Sequence, residues 1–312
     1  MEKSIKIKSA PLVSVIIGAY NREKLIRRCL ESVFNQSYVN IEVIVIDDCS
    51  SDDTPKVLTE YKLKYPEQFK FSINEQNMGI SYNCNKAYIL ARGQYIALIG
   101  DDDFWTDRDK IKKQVNVLKN DTNIGISGTW WQEFDAQKST YNTPSDPKDW
   151  RKEMLSGGGI ICGSTPLIKK EAWVAAGGFD EKQKRGTDSD LFRRIILSGY
   201  KGNILHEITT SVDVSVNRKR MTCKNNISMF GDHIDSMEYN LNKLSKYYDQ
   251  YPEARAKYYE RLSVLYLGVY REAGGVKNLK ECRRYIKMSI RHKFSILVFV
   301  KLLRAYTARF IR

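Results

Sequence analysis

Three consecutive aspartates, Asp101, Asp102 and Asp103, follow the apolar run QYIALIG. Carboxylates crowded at the mouth of a strand repel one another, so the cluster calls for a cation at the same place. Other polar groups fall at comparable positions. Tyr20-Asn21-Arg22 follows VSVIIGA, Asp47-Asp48 ends IEVIVIDD, and Asn74 to Gly79 follows FKFSI. A second acidic pair, Asp188 and Asp190 in TDSDLFRRIILSGY, opens a helix-like segment, where the dipole favours negative charge.

The elements that must position these groups are legible in the periodicity. VSVIIGAY (13–20) and IEVIVIDD (41–48) are β-branched runs, the second almost continuously apolar, as in a strand covered on both faces. Between them Leu25, Ile26, Cys29, Leu30, Val33 and Phe34 recur at helical spacing, with Asn21 as the expected N-cap. A helix is predicted after Asp53 with Pro55 in its first turn, then a strand at 69–74, a helix over 79–92, a strand at 94–100 and a helix over 107–119. This β-α-β-α-β-α-β order predicts an α/β fold with a mostly parallel sheet, in which ligands bind beyond the carboxyl ends of the strands. The polar groups collect at those ends, as one shared site requires. No GxGxxG follows the first strand and no Walker A sequence is present, which disfavours a nicotinamide or flavin dinucleotide and a P-loop.

Composition bounds the rest. The chain has 312 residues, 42% of them hydrophobic, and five tryptophans, enough for a large domain with an appendage. Six scattered cysteines without CxxC or zinc-like spacing read as free thiols in a reducing compartment, and the N-terminus shows no apolar segment typical of a secretory signal; both suggest the cytoplasm. The net charge of +14 is uneven: residues 213–312 hold 21 Lys+Arg against 9 Asp+Glu, and 283–312 hold no acid. The expected division is therefore 1–212 and a mainly helical, basic 213–312. Interleaved apolar and basic residues in 283–312 fit a helix on an anionic membrane surface, which would make the protein peripheral on the inner face of the membrane, or a cap packing through 294–303. The longest apolar stretch, Phe294–Val300, is far short of the ~20 residues that span a bilayer. No nucleic-acid motif accompanies the basic block, so nucleic acid is discounted.

VSVIIGAYNREKLIRRCLESVFNQSY, EVIVIDDCSSDDT, NMGISYN, ARGQYIALIGDDD and GGFDEKQKRGTDSDLFRRI, in that order over about 12–205, resemble the family 2 glycosyltransferases. The resemblance implies a GT-A fold, a Rossmann-like sheet flanked by helices, here with a helical basic extension. It also implies inverting transfer from a nucleotide sugar, most commonly a UDP-sugar, to a saccharide or lipid-linked acceptor, as in surface polysaccharide synthesis. By the same resemblance Ala19, Tyr20, Arg22 and Asp48 hold base and ribose, and Asn77 and Gly79 belong to a segment closing over the nucleotide. The aspartates after the fourth strand match the family's DXD-type motif for Mn²⁺ or Mg²⁺, with Asp102 on the usual metal position, Asp103 supporting it and Asp101 toward the ribose. Asp188 matches the catalytic base.

Three residues depart from the family pattern. Gly18 stands for a common Pro, Cys84 for an Arg near the phosphates, and Gly100 for the first Asp of DxDD, which also permits a DXD of Asp101 and Asp103. Gly18 is a harmless turn change, whereas Gly100 and Cys84 motivate an alternative, a glycosyltransferase-like nucleotide-binding or assembly protein without turnover. Asp190, and Asp52 or Asp53, read as helix caps. Trp130, Trp131 and Trp173 read mainly as core, His206 and His233 as structural, and Arg218 to Arg220 as a basic surface.

Overall fold

The computed structural model describes residues 10–134, 139–157, 159–215, 227–273 and 276–292. The first elements are β1 (Val13–Ala19), α1 (Ile26–Phe34), β2 (Ile41–Asp47), α2 (Thr54–Lys64), β3 (Phe69–Ile73), α3 (Ile80–Leu90) and β4 (Tyr95–Leu98). Next come β5 (Phe104–Trp105), α4 (Lys110–Asn120), β6 (Ile124–Phe134), β7 (Ser139–Asn142) and α5 (Trp150–Leu155). They are followed by β8 (Leu167–Lys169), α6 (Lys170–Ala176), α7 (Thr187–Leu197) and β9 (Lys201–Asp213). Four helices follow: α8 (Ile227–Lys243), α9 (Ser245–Gln250), α10 (Pro252–Ala273) and α11 (Val276–His292).

Two compact units result. The first comprises Met1–Ser145, Ile161–Phe179 and Ser198–Val214; the second comprises Asp146–Ile160, Asp180–Leu197 and Ser215–Arg312. The linear boundary expected after residue 212 therefore misses α5 and α7. These two helices lie early in the sequence but give their apolar faces to the helical unit, whose core joins Leu155 and Leu197 to Ile234, Tyr248, Tyr258 and Leu262.

In the first unit the described strands form a sheet in the order β3-β2-β1-β4-β8-β6-β9-β5, with β7 paired to β6. The β3-β2-β1-β4 half is parallel, as the alternating sequence predicts. β8 then runs antiparallel to β4, β6 antiparallel to β8, and β9 parallel to β6. Every residue of β2 is buried, the burial its continuous apolar run requires. α1 covers the sheet through Ile26, Cys29, Leu30 and Val33, one face of a 3.6-residue period. Gly18 faces α3: a Cβ there would lie 2.5 Å from Ile80 Cδ1, the mobile end of a side chain that would have to turn aside.

The helical unit holds α5, α7 and α8 to α11. α11 packs Leu279, Cys282 and Ile286 against Tyr266, Leu267 and Ile290, so residues 283–292, the start of the basic block, lie in a packed helix with Arg284, Lys287 and Arg291 exposed. Residues 293–312, and with them the apolar stripe 294–303, fall outside the described residues, as do Arg218 to Arg220. Among the described residues no helix is long and apolar enough to cross a membrane.

Candidate active site

At the carboxyl end of β1 the chain turns through Asn21, whose φ of 53° lies in the left-handed region that asparagine tolerates. Asn21 is not the N-cap of α1. Its side-chain oxygen accepts from Ser51 N at 2.8 Å and its own N–H donates to Ser50 Oγ, so it ties the β1 turn to the β2 turn, and α1 begins five residues later without a side-chain cap. Asp52 takes the cap-like role, accepting from Thr54 N. The two turns are thus stitched together before any ligand is considered.

Asp48 is buried at the end of β2 and organises the next segment. Its Oδ1 accepts from Met78 N at 2.7 Å and Asn74 Nδ2 at 2.9 Å, and its Oδ2 accepts from Gly79 N at 2.9 Å. Gly79, at φ 85°, makes that turn without a Cβ penalty. Asn74 in turn donates to Asn83 and accepts from Lys86 Nζ at 2.8 Å, so β3 and α3 are joined through one asparagine. Asn77 stands exposed on the same segment.

The three aspartates after β4 have three different environments. Asp101 Oδ2 accepts from Tyr20 N at 3.1 Å, and its Oδ1 lies 3.3 Å from Arg22 Nε, which links this turn to the one after β1. Burial, then the charge of Asp102, raise the Asp101 pKa, and Arg22 only partly offsets them. Asp102 is half-buried, and its backbone carbonyl accepts from Arg28 at 2.8 Å. Asp103 is buried, with Oδ2 accepting from Ser164 Oγ and Oδ1 from Asp213 N at 3.1 Å. Asp213 also pairs with Arg28 at 3.1 Å, and the Arg28 guanidinium lies over the rings of Phe104 and Phe134, 4.5 and 5.3 Å from their centroids. Gly100 packs closely against this fold-back: a Cβ there would sit 3.1 Å from Asp103 Oδ2 and 3.2 Å from Asp102 Oδ1.

Ala19, Tyr20, Arg22, Asp48, Gly79 and Asp101 to Asp103 thus share one end of the parallel half-sheet. Cys84 is buried in α3. The sequence reading placed Asn74 at a strand end but missed Lys86, Arg28 and Ser164, which brace the site. Ser164 reaches Asp103 only because β8 runs beside β4, a pairing with no local signal in the sequence.

The donor set suits a hard divalent ion. Among the described residues no group of three or more His, Cys, Asp or Glu side chains converges on a metal point. An ion that also binds a diphosphate needs only one or two protein carboxylates, and Asp102 could supply one next to an Asp101 whose ionisation is resisted by burial and then by like charge. A cation there reverses that penalty.

Asp188 lies in the helical unit, in the first turn of α7. Its Oδ1 accepts from Ser189 N at 2.7 Å, and burial raises its pKa. Asp190 is no exposed cap. It is fully buried, with Arg194 and Lys243 each within 2.8 Å, because two cations reach it from α7 and α8. Trp131 and Trp173 are core, Trp130 stacks on His206 at 5.1 Å, and His233 faces a cavity of the helical unit.

Residues 14–171 match the family model described as Glycosyl transferase family 2. The chain is 30% identical over 203 residues to the putative glycosyltransferase EpsE of Bacillus subtilis, covering 64% of this chain and 72% of that protein. It is 29% identical over 260 residues to chondroitin synthase of Escherichia coli, covering 78% of this chain but 37% of that longer protein. Among solved structures, S. aureus TarS 1-349 in complex with UDP-GlcNAc superposes with a TM-score of 0.67 at 16% identity, covering 96% of this chain and 87% of that one. The mannosyltransferase PcManGT from Pyrobaculum calidifontis, in complex with GDP-Man and Mn²⁺, superposes with a TM-score of 0.62 at 19% identity, covering 95% and 88%. With this GT-A fold and a family match over half its length, the chain belongs to glycosyl transferase family 2 and is a glycosyltransferase.

Proposed function

We propose that this protein transfers a sugar from a nucleotide sugar, a UDP-sugar before others, to a saccharide or lipid-linked saccharide acceptor with inversion at the anomeric carbon. The observation that carries the reading is the hydrogen-bonded continuity of the strand ends. Tyr20 N bonds Asp101, and Asp48 fixes Gly79, so the groups that the family uses for a nucleotide are held as one surface. Complexes of TarS with UDP-GlcNAc and of PcManGT with GDP-Man and Mn²⁺ support a nucleotide-sugar donor and a divalent ion.

In this mechanism Ala19, Tyr20, Arg22 and Asp48 cradle base and ribose, Asn77 and Gly79 line the segment over the nucleotide, and Asp101 faces the ribose. Asp102 would hold Mn²⁺ or Mg²⁺, with Asp103 supporting it through the Ser164 and Asp213 contacts rather than by exposure. The bound ion supplies charge neutralisation for the departing diphosphate. Asp188 takes the proton from the acceptor hydroxyl as its oxygen bonds the anomeric carbon and the nucleoside diphosphate leaves from the opposite face, a single displacement. Burial that keeps the carboxylate pKa above its ordinary range makes Asp188 a stronger base once ionised. The basic segment 283–312 is proposed to rest on an anionic membrane surface, where lipid-linked acceptors reside; salt-sensitive liposome association lost on its removal tests this.

The function is tested by nucleotide release from a panel of UDP-, dTDP- and GDP-sugars with Mn²⁺ and saccharide or lipid extracts, comparing wild type with Asp102→Ala and Asp188→Ala. Release that depends on both residues supports the reading. Tight UDP binding with no release on any acceptor would favour binding without turnover.

A further inference from the structure

A cavity of about 500 Å³ lies within the helical unit, a volume in the range of small-molecule sites. Its chemistry has three parts. Arg185, Arg193 and Arg261 line it, against one acid, Glu260, among the described lining residues. Arg193 is 4% exposed and carries a buried Nη1 without a hydrogen bond; its Nε donates to Met154 O, and Asp190 Oδ1 stands off at 3.9 Å. Arg261 donates to Gly157 O from the rim. Partial burial and then the charges of Arg185 and Arg261 hold the His233 pKa below its usual value, as an electropositive cavity requires.

The second part is a pair of acceptors. Gln183 Oε1 and Asn240 Oδ1 line the cavity, are buried, and accept no hydrogen bond. Leaving such oxygens dry is costly, so they suit a ligand that brings hydroxyl donors. The third part is an apolar wall of Met237, Val264 and Leu265, a surface for the C–H face of a sugar ring. Guanidinium forks, hydroxyl acceptors and an apolar wall together describe an acidic sugar more closely than a neutral one.

We infer that this cavity is an acceptor subsite for a saccharide bearing an anionic group, a carboxylate or a phosphate. The inference rests on the reading of Asp188 as the base: Gly186 and Ser189, which flank Asp188 closely in the chain, both line the cavity.

Saturation-transfer NMR titration of the full chain with glucuronate, glucose 6-phosphate and glucose tests it, with UDP titrated separately. One or both acidic sugars should bind about ten-fold or more tighter than glucose, the level expected of one charge-assisted hydrogen bond. Preference for glucuronate assigns a carboxylate, and preference for glucose 6-phosphate assigns a phosphate. Arg185→Gln should weaken that binding about ten-fold. Val264→Trp, at a position 49% exposed, should block the cavity with every cation in place, and thermal melts confirm that both variants fold. Equal binding of glucose, or acidic-sugar binding that survives both substitutions, overturns the subsite. Failure of UDP to bind strikes instead at the donor reading, so the two can fail separately.

Discussion

Two acidic clusters, 101–103 in the sheet unit and 188–190 in the helical unit, solve the same problem in the same way. In each, one carboxylate is buried in framework contacts and another, the one the proposed function uses, stays less enclosed. Asp103 is buried between Ser164 and the backbone of Asp213, and Asp190 is buried between Arg194 and Lys243. Asp102 and Asp188 keep partial exposure beside them. Adjacent acids in a motif are therefore not equivalent copies. Their roles follow from which neighbours saturate their oxygens.

The sharpest way to break this comparison is to neutralise both acids of the helical cluster in turn. Asp188→Asn should lower turnover by ~10²–10⁴-fold with UDP affinity retained, as expected for loss of a general base. Because burial disfavours the ionised Asp188, the same substitution should leave the melting temperature unchanged or raise it. In wild type the acid limb of the rate profile should lie above the ordinary carboxylate range: activity needs the ionised form, and a raised pKa is crossed at higher pH as pH falls. An acid limb near pH 4 would contradict this. Asp190→Asn should do the reverse, removing ~3–5 kcal/mol of stability in urea denaturation, because two cations lose a fully buried partner. Equal losses of turnover and stability in both variants would erase the distinction.

The same contrast in the sheet unit is smaller. Asp103→Asn keeps size but replaces one acceptor oxygen by a donor, so either Ser164 Oγ or Asp213 N loses its acceptor and a loss of ~1–3 kcal/mol is expected. Asp102→Asn should abolish Mn²⁺-dependent nucleotide binding with stability intact. If Asp103→Asn removes Mn²⁺ binding without any change in stability, Asp103 is a ligand rather than a brace.

How much of this could be read from the residues alone divides along physical lines. Periodic burial is local information, so Ile26, Cys29, Leu30 and Val33, the buried β2 and the parallel half-sheet were legible. The place of Asp48 at a strand end was legible, but its work of pinning Met78 and Gly79 was not, because side-chain to backbone bonds across 30 residues have no spacing signature. Asn21 misled because an asparagine serves a helix cap and a left-handed turn equally well, and only the neighbouring Ser50 and Ser51 decide between them. Asp190 misled similarly: its cation Lys243 lies on a helix more than fifty residues away. The strand crossover that delivers Ser164 and the assignment of α7 to the helical unit are properties of tertiary packing, which no window of sequence contains.

A weaker effect carries the saturation rule to buried charge generally. Glu42 is buried, yet hydrogen bonds from Arg92, Ser14 and Lys70 outweigh burial and hold its pKa below the usual value. Lys110 is equally buried, but among the described residues its Nζ meets the neutral Gln114 oxygen at 2.7 Å and the face of Trp105 at 4.4 Å. Burial therefore pulls its pKa down to about 7 from 10.5, against the opposing charge of Asp107. Between those two values the unfolded chain binds the proton and the folded chain does not, so stability should rise with pH across that window. The slope for one proton is at most ~1.4 kcal/mol per pH unit. Lys110→Met removes the titrating group, and in urea denaturation at pH 7, 8 and 9 the stability difference between variant and wild type should shrink or change sign as pH rises. Other titrating groups contribute equally to both proteins and cancel. Parallel stability curves would mean that Lys110 keeps an ordinary pKa, and that Trp105 and Gln114 satisfy an ammonium as fully as Arg92, Ser14 and Lys70 satisfy Glu42.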